Sequence, residues 1–466
     1  MSDEILIIGG GFAGLAAGVA LAGSGCRVRL IEQRPYLGGR ARSFFYKPAE
    51  SIVDNGQHIF MGCYHETLRF LKTIGTLDSI RFQPDLAVHF MDRETGASSL
   101  TCPHLPAPWH LLAGVMRSNS FPLSEKLQVL RLGRALRHAD FGRSPEQLEG
   151  LTVDGWMAAL GQSKRLRRNL WDLLCIAALN EDPRIAAAAV FEPVLRRALF
   201  HSRADSCIGL ASKGLSECYT SSATSYIESR GGKVELGQSV GSFIFEDLAP
   251  GANDRPPGAG AASSLCCRGV KLTDNTEVAA DKILSTVPSF EFVRLLPDEV
   301  LLGHPFFERL TRFQPAPIVS VNLWFDREIT EMEFAGLRGT TVQWLFNKGR
   351  ILNSGRHYVS LVISGAHEHI HEDKEELLAL ALTELRALFP AAREARLLHS
   401  LVLKERFATF SPAVGALPLR PPATTPIRNL YLAGDWTDTG LPATIESAVK
   451  SGYTAAAEIL RREERR

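Results

Sequence analysis

The run Ile5-Leu6-Ile7-Ile8-Gly9-Gly10-Gly11-Phe12-Ala13-Gly14 constrains this chain more than any other stretch. Its short apolar part suits a parallel strand buried on both faces. Gly9, Gly11 and Gly14 then stand where a dinucleotide fingerprint needs them. The first allows a tight turn, the second lets backbone approach a pyrophosphate, and the third lets helix and strand pack closely. Phe12 and Ala13 lead into a small apolar helix over Leu15–Leu21, whose N-terminus directs N–H groups and a partial positive charge at phosphates. Cys26 to Ile31 reads as a second strand. Glu32 at its end is placed to accept hydrogen bonds from an adenosine ribose, and its charge disfavours the 2′-phosphate of NADP.

This fingerprint serves FAD and NAD alike, so the choice rests on other residues. Gly38-Gly39-Arg40-Ala41-Arg42 adds flexible backbone and two cations near where a pyrophosphate and flavin would run. Close to the C-terminus, Asn429 to Ala433 is another buried-strand pattern. Gly434-Asp435 follows at the carboxyl end, where open α/β sheets bind ligands. Thr444 to Gly452 reads as a helix whose first N–H groups face a flavin pyrimidine oxygen. A chain that returns to its own N-terminal sheet to finish a nucleotide pocket has the plan of a flavoprotein.

With 466 residues, the chain is too long for one compact core. The pattern between the two ends predicts an α/β fold: a Rossmann-like FAD-binding domain over 1–85, 205–290 and 400–466, interleaved with an α+β substrate domain over 86–204 and 291–399. His65 to Gly75 is an amphipathic helix, Leu86 to Thr101 a β-hairpin, and 124–200 a helical subdomain. Lys233 to Leu236 and Lys282 to Pro288 return to the first domain. Pro250 to Ser264, rich in Gly, Ala and Pro, reads as a flexible hairpin tip. Ile318–Phe325 and His357–Ser364 alternate as strands of a second sheet, and Glu375 to Phe389 is a helix.

A formal net charge of +1 offers no electrostatic case for nucleic acid. The eight cysteines show no C-x-x-C spacing, and no leader pattern precedes the Ile5 strand, so a reducing cytoplasm is the expected setting. No run approaches the roughly twenty apolar residues of a membrane helix. Pro103 to Met116, with Trp109, has the composition of a segment that dips into a bilayer face; an internal helix of the substrate domain is the preferred reading. His367, His369 and His371 would share one face if extended, which invites a metal. Their position between a strand and an acidic helix start favours a solvated loop, so no metal is expected.

On these residues the chain resembles the flavin-containing amine oxidase and phytoene desaturase superfamily. The likeness covers essentially the whole chain. It rests on Gly9 to Gly14, Glu32, Gly38-Gly39-Arg40, and Gly434-Asp435 with Thr444-Ile445-Glu446. Within it, Asp54-Asn55-Gly56-Gln57-His58, Gly62, Tyr64, Ala178-Leu179-Asn180 and Gly214-Leu215-Ser216 are most similar to the bacterial hydroxysqualene dehydroxylases of hopanoid biosynthesis. The resemblance implies that Val240 contacts the adenine through its backbone and Asp435 holds the ribityl–pyrophosphate region. It also implies that Thr444-Ile445 covers the pyrimidine edge and Gly56-Gln57-His58 lies along the ring. Covalent-flavin relatives carry a cysteine in the C-terminal motif. None occurs in Thr439 to Thr444, so FAD is expected to be non-covalent.

The activity so implied is hydride delivery from reduced FAD to an allylic carbon of hydroxysqualene as its hydroxyl leaves as water, giving squalene. Hydroxide leaves poorly, so a proton donor is required, and His58 is the candidate acid. An apolar isoprenoid substrate, an external electron donor such as NADPH, other squalene-pathway enzymes and peripheral contact with the inner membrane face are the expected partners. Two oxidative readings stand beside it: a carotenoid or phytoene desaturase, and an amine oxidase with a cage drawn from Trp436, Trp344 and Tyr431. A lipid or prenyl carrier is the non-enzymatic alternative, against which the intact Gly434-Asp435 motif argues.

Overall fold

A computed structural model describes residues 4–137, 148, 150–247 and 265–464. The hairpin tip expected over Pro250–Ser264 lies outside the described residues, as does part of the helical stretch expected over 124–200.

Five parallel strands form the nucleotide sheet: β1 (Glu4–Ile8), β2 (Arg27–Glu32), β3 (Lys233–Leu236), β4 (Lys282–Ser285) and β5 (Leu430–Leu432). Their spatial order is β3-β2-β1-β4-β5, with β1 central and the register Ile8↔Ile31 and Ile8↔Ser285. Ile5, Leu6 and Ile7 are fully buried because both faces are covered. One face packs on helices α1 (Phe12–Gly23) and α2 (Ile445–Glu464), through Leu15, Ala16, Val449 and Ala456. The other packs on an antiparallel three-stranded sheet, Val240–Asp247, Leu265–Leu272 and Glu277–Ala279, and on Phe292, Phe307 and Leu310. Each buried Val, Leu, Ile or Phe side chain here contributes about 1.5–3 kcal/mol.

The second domain is built on a seven-stranded sheet. Strand Pro315–Phe325 lies between Leu397–Phe410 and His357–Ser364, antiparallel to both. The hairpin Ala87–Asp92/Gly96–Thr101 joins the far edge, with a parallel pairing to Phe334–Arg338. One face is covered by helix Lys374–Leu388. The other carries an apolar cluster that includes Phe90, Val115, Leu173, Phe334 and Phe346.

Two stretches sit with a different sheet from the one expected. Residues 400–410 belong to strand Leu397–Phe410 and pair with Pro315–Phe325, so the C-terminal return to the nucleotide domain begins after Phe410. Conversely, the short helices Ser289–Leu295 to Arg309–Arg312 bury Phe292, Leu295, Phe307 and Leu310 in the nucleotide-domain core, although 291–399 was assigned to the substrate domain. Hydropathy marks both stretches as apolar but does not say which sheet they cover.

Helices Trp109–Arg117, Leu123–Arg137, Val153–Ala159, Asp172–Leu179 and Ala188–Phe200 make up the helical region. The Trp109 helix is internal on one face only. His110, Gly114 and Val115 are buried, while Trp109 and Met116 are exposed. Among the described residues, no helix is long and apolar enough to cross a membrane.

Asn180 joins the helical region to the second sheet. It ends helix Asp172–Leu179 in the left-handed conformation (φ +53°). Its Nδ2 donates to Ala316 O (3.1 Å) and Thr409 Oγ1 (3.0 Å), and its Oδ1 accepts from Gly365 N (2.8 Å). Asparagine tolerates this backbone better than other residues with a Cβ, and the side chain satisfies backbone groups of one strand and a turn together with a hydroxyl on a second strand. Replacing Asn180 with Ala is expected to destabilise the fold by at least about 2 kcal/mol, read as a lower midpoint in urea unfolding. An unchanged midpoint would show that this joint is not limiting.

Candidate cofactor site

The glycines of the first turn each meet a distinct requirement. Gly9 has φ +105°, closed to most side chains. A Cβ on Gly14 would lie 2.0 Å from Gly9 O, whereas one on Gly11 would meet nothing within 4 Å. Gly14 is therefore demanded by packing, and Gly11 leaves open room above the turn. No side chain caps the N-terminus of α1, so the amides of its first turn, from Phe12 and Ala13 onward, are offered to a ligand.

Glu32 is buried at the end of β2. Its Oε2 accepts from Gly10 N (2.8 Å) and its Oε1 from Arg34 N (2.9 Å), which fixes the carboxylate beside the turn with lone pairs to spare. Gln238 N donates to Glu32 O (2.9 Å), placing Val240, two residues on, near the same strand end. Gly38 N donates to Gly10 O, and Gly38 and Gly39 both take positive φ (+115° and +57°). Tyr219, fully buried, stacks on Phe12 at 3.8 Å and donates its hydroxyl to Gly38 O and Ala41 O. One ring thus braces both glycine loops.

Arg40 reaches the far end of the chain. Its Nη2 donates to Asp435 Oδ1 (2.7 Å) and its Nη1 to Ala408 O (2.7 Å), at a cleft also lined by Phe290, Phe313 and Phe407. Arg42, the second expected cation, instead stacks over Tyr36 and Phe44. Gly434, at φ +142°, donates its N–H to Ser451 Oγ on α2. Thr444 Oγ1 accepts from Ser447 N, Ile445 opens α2 and is buried, and Ser447 Oγ donates to Asp435 O. Asp435, Thr444 and Ile445 therefore share one corner.

Gly56 (φ +84°), Gln57 and His58 form the turn after strand Ser51–Asp54. Asn55 ties this turn to the Arg40 loop, donating from its backbone N–H to Arg42 O and from its side-chain amide to Arg40 O. Gln57 Oε1 is buried without a hydrogen-bond partner, an orphaned acceptor that a bound cofactor's N–H would satisfy. Together with the uncapped α1 and the open face of Gly11, this fits a dinucleotide cofactor lying from the first turn toward Gly56.

His58 is half-buried, and its Nδ1–H donates to Gly56 O at 3.1 Å. That contact assigns the tautomer, leaving Nε2 unprotonated in the neutral ring. Burial and the Lys348 and Arg40 charges outweigh Asp54 and the Gly56 carbonyl and hold its pKa below the ordinary 6.5. This lowering favours the neutral imidazole relative to a free histidine.

Several residues with no motif to mark them complete the site. Lys348, 1% exposed, donates Nζ to Asp54 Oδ2 at 2.7 Å. Asp54 Oδ1 accepts from Ser43 Oγ (2.6 Å) and Leu215 N (3.0 Å), which gives Gly214-Leu215-Ser216 a structural reason. Glu446 turns away from the cofactor corner: its carboxylate accepts from Glu66 N, Thr67 N and Thr67 Oγ1 and so caps helix His65–Thr73. Arg420, buried, donates to Leu441 O, Asp435 O, Thr437 O and Thr439 Oγ1, shaping the loop between Gly434 and α2. A lone lysine or arginine far from its partner carries no local pattern; a basic residue inside an apolar stretch is the only signal.

The histidines of the 367–371 run have separate partners. His367 pairs with Glu181 and His369 with Glu372. The proposed amine cage is also dispersed: Trp436 lies in the core on one side of the nucleotide sheet, Tyr431 in the core on the other, and Trp344 packs under the second sheet.

A nucleotide sheet closed by the C-terminal return, over a second sheet whose strand Trp344–Asn347 leads into the helical turn bearing Lys348, defines a flavin-dependent oxidoreductase. The chain belongs to the flavin containing amine oxidoreductase family, which matches residues 12–460. It is 28% identical over 453 residues to a hydroxysqualene dehydroxylase of Zymomonas mobilis, covering 97% of each chain. It is 24% identical over 482 residues to a 15-cis-phytoene desaturase of Synechococcus elongatus, covering 99% of this chain and 96% of that protein. An oxidoreductase structure from Methanosarcina mazei superimposes with a TM-score of 0.73 at 15% identity, over 98% of this chain and 100% of that one, and so shares its fold.

The Asp54–Lys348 pair yields a signed prediction. Burial alone would push the Asp54 carboxyl up, but Lys348, Leu215 N and Ser43 outweigh it and hold the pKa below the ordinary 3.8. The carboxylate therefore adds stability that is complete at neutral pH and is lost as pH falls through that depressed value. Lys348→Met leaves a buried, unpaired carboxylate and is expected to cost roughly 3–5 kcal/mol at pH 7. In that variant burial raises the Asp54 pKa, so stability should recover as pH falls from 7 to 5. Urea midpoints at both values check this; a deficit that stays constant or grows on acidification would contradict it.

Proposed function

We propose that the chain binds FAD non-covalently and reductively removes the allylic hydroxyl of hydroxysqualene, giving squalene. The observation that carries this reading is the whole-length likeness to hydroxysqualene dehydroxylases, joined to the apolar cluster that begins directly after the turn Gly56–His58. Ile59, next to His58, packs into the cluster of Phe90, Phe334 and Phe346, surroundings suited to a hydrocarbon chain and poor for an ammonium group. The dispersal of Trp436, Tyr431 and Trp344 further disfavours an amine oxidase. Oxidative desaturation of a polyisoprenoid is the second reading, favoured by the similar match to phytoene desaturases.

In this scheme the α1 N-terminus and Arg40 hold the pyrophosphate, Glu32 the adenosine ribose, and the backbone near Val240 the adenine. Asp435, Thr444 and Ile445 hold the ribityl and pyrimidine end, and Gly56 and Gln57 flank the ring. Reduced flavin supplies the hydride. Replacing C–OH by C–H with release of water consumes two electrons and two protons, so an external donor such as NADPH completes each turnover. His58, once it has taken a proton from solvent at Nε2, passes that proton to the departing hydroxyl, and its Nδ1–H stays on Gly56 O throughout. Leu105, Trp109, Met116, Leu123 and Leu127, all exposed, let the chain draw its substrate from a lipid surface.

Anaerobically photoreduced protein incubated with hydroxysqualene should yield squalene, and denaturation should release FAD. Oxidation of phytoene by the oxidised protein, with hydroxysqualene untouched, would select the second reading. With His58 as acid, turnover should fall as pH rises above its depressed pKa, and His58→Ala should slow it by about 10²–10⁴-fold and remove the pH dependence. Unchanged turnover in that variant would exclude this role.

Sedimentation with anionic lipid vesicles should retain the wild-type chain. It should release the variant carrying Trp109→Asp and Leu123→Asp while that variant's circular dichroism is unchanged. Equal sedimentation of both would rule out this face as the membrane contact.

A further inference from the structure

Outside the cofactor site, His65, His201 and Asp205 bring three ligand atoms to within 4.8 Å of one another. We propose that they form an open site for a divalent transition-metal ion of the Zn²⁺ class. Asp205 is buried in the turn Ala204–Ser206 and divides its carboxylate between two rings. Oδ1 lies 2.7 Å from His65 Nε2 and Oδ2 2.5 Å from His201 Nδ1.

The backbone of Asp205 is held independently of the histidines. Asp205 N donates to Ser202 Oγ (3.1 Å), and Asp205 O accepts from Cys63 N (3.1 Å). His65 is the first residue of helix His65–Thr73, which Glu446 anchors, and His201 follows helix Ala188–Phe200 directly. Two stretches distant in sequence, at residue 65 and at 201–205, therefore converge on one point.

Ligand atoms on a tetrahedral Zn²⁺, with bonds of about 2 Å, lie about 3.3 Å apart. Parting the two hydrogen bonds by roughly 1 Å, with His65 and His201 both in the tautomers that free Nε2 and Nδ1, seats such an ion. Two imidazoles and one carboxylate suit Zn²⁺ or its neighbours and do not suit the all-oxygen shells of Ca²⁺ and Mg²⁺. The side chains of His65 and His201 are 60% and 71% exposed, so the ion arrives from solvent and water completes its shell. The bound ion crosslinks the segment that follows the Gly56–His58 turn to the end of helix Ala188–Phe200, and it stabilises the folded chain by mass action.

The test uses the flavin-loaded full chain after dialysis against EDTA, titrated with ZnCl₂ or MgCl₂ and read by calorimetry and melting temperature. One saturable Zn²⁺ per chain, a raised melting temperature and inert Mg²⁺ are expected. His65→Ala and His201→Ala, both at exposed positions, should each lower the affinity at least about tenfold and remove the thermal gain. Absence of saturable Zn²⁺ binding overturns the proposal. So does unchanged affinity in the His65→Ala/His201→Ala double variant, which would move the ion to another site such as the His367–His371 segment.

Discussion

Two contacts between backbones set the geometry on which the rest of the nucleotide domain depends. Gly14 lets α1 lie so close to the first turn that a Cβ would stand 2.0 Å from Gly9 O. Gly452 lets α2 lie so close to α1 that a Cβ would stand 2.3 Å from Ala13 O. In each case the atom approached is main chain, which cannot rotate aside as a side chain would. The depth of α1 on β1 fixes where its free amides point, and the depth of α2 on α1 fixes where Asp435, Thr444 and Ile445 stand. The two ends of the sequence are thus locked in one packing layer, and Arg40 with Asp435 closes the same junction by charge.

What was legible in the sequence follows from how local the cause is. The glycine turn, Glu32, the strands flanking them and the helix after Thr444 each have their reason within a few residues, and the structure shows them as strand, turn and helix where expected. Domain membership is less local. Strand Leu397–Phe410 has the composition of either sheet, and only its pairing with Pro315–Phe325 decides. Lys348 and Arg420 were invisible for a related reason: each is stabilised by groups remote in sequence, and no short pattern predicts such a partner. Glu446 could be read as part of a motif, but its cap on helix His65–Thr73 could not.

The segments that carry the narrower likeness supply two buried polar clusters. Asp54 holds Leu215 and Lys348, Ser43 bridges Asp54 to Ser216, and Asn180 clamps Ala316, Thr409 and Gly365. These residues bring the Gly56–His58 turn against the second sheet and keep His58 among cations, which favours its neutral form. Buried polar networks of this kind are fully satisfied or strongly destabilising, so they fix one relative placement of the parts they join.

The strand order has a further consequence for how the chain is made. The central strand β1 takes one neighbour from near residue 30 and the other from residues 282–285, and α2 arrives only with the last twenty-odd residues. Thr286 bonds to Gly9 across 277 positions of sequence. Such long-range closure is slow, and while synthesis proceeds the α1 face of the sheet lacks its final cover. A nascent chain must hold an unfinished, apolar nucleotide half in solution until α2 has left the ribosome. That makes this half, rather than the locally wound helical region, the part most exposed to aggregation during biogenesis.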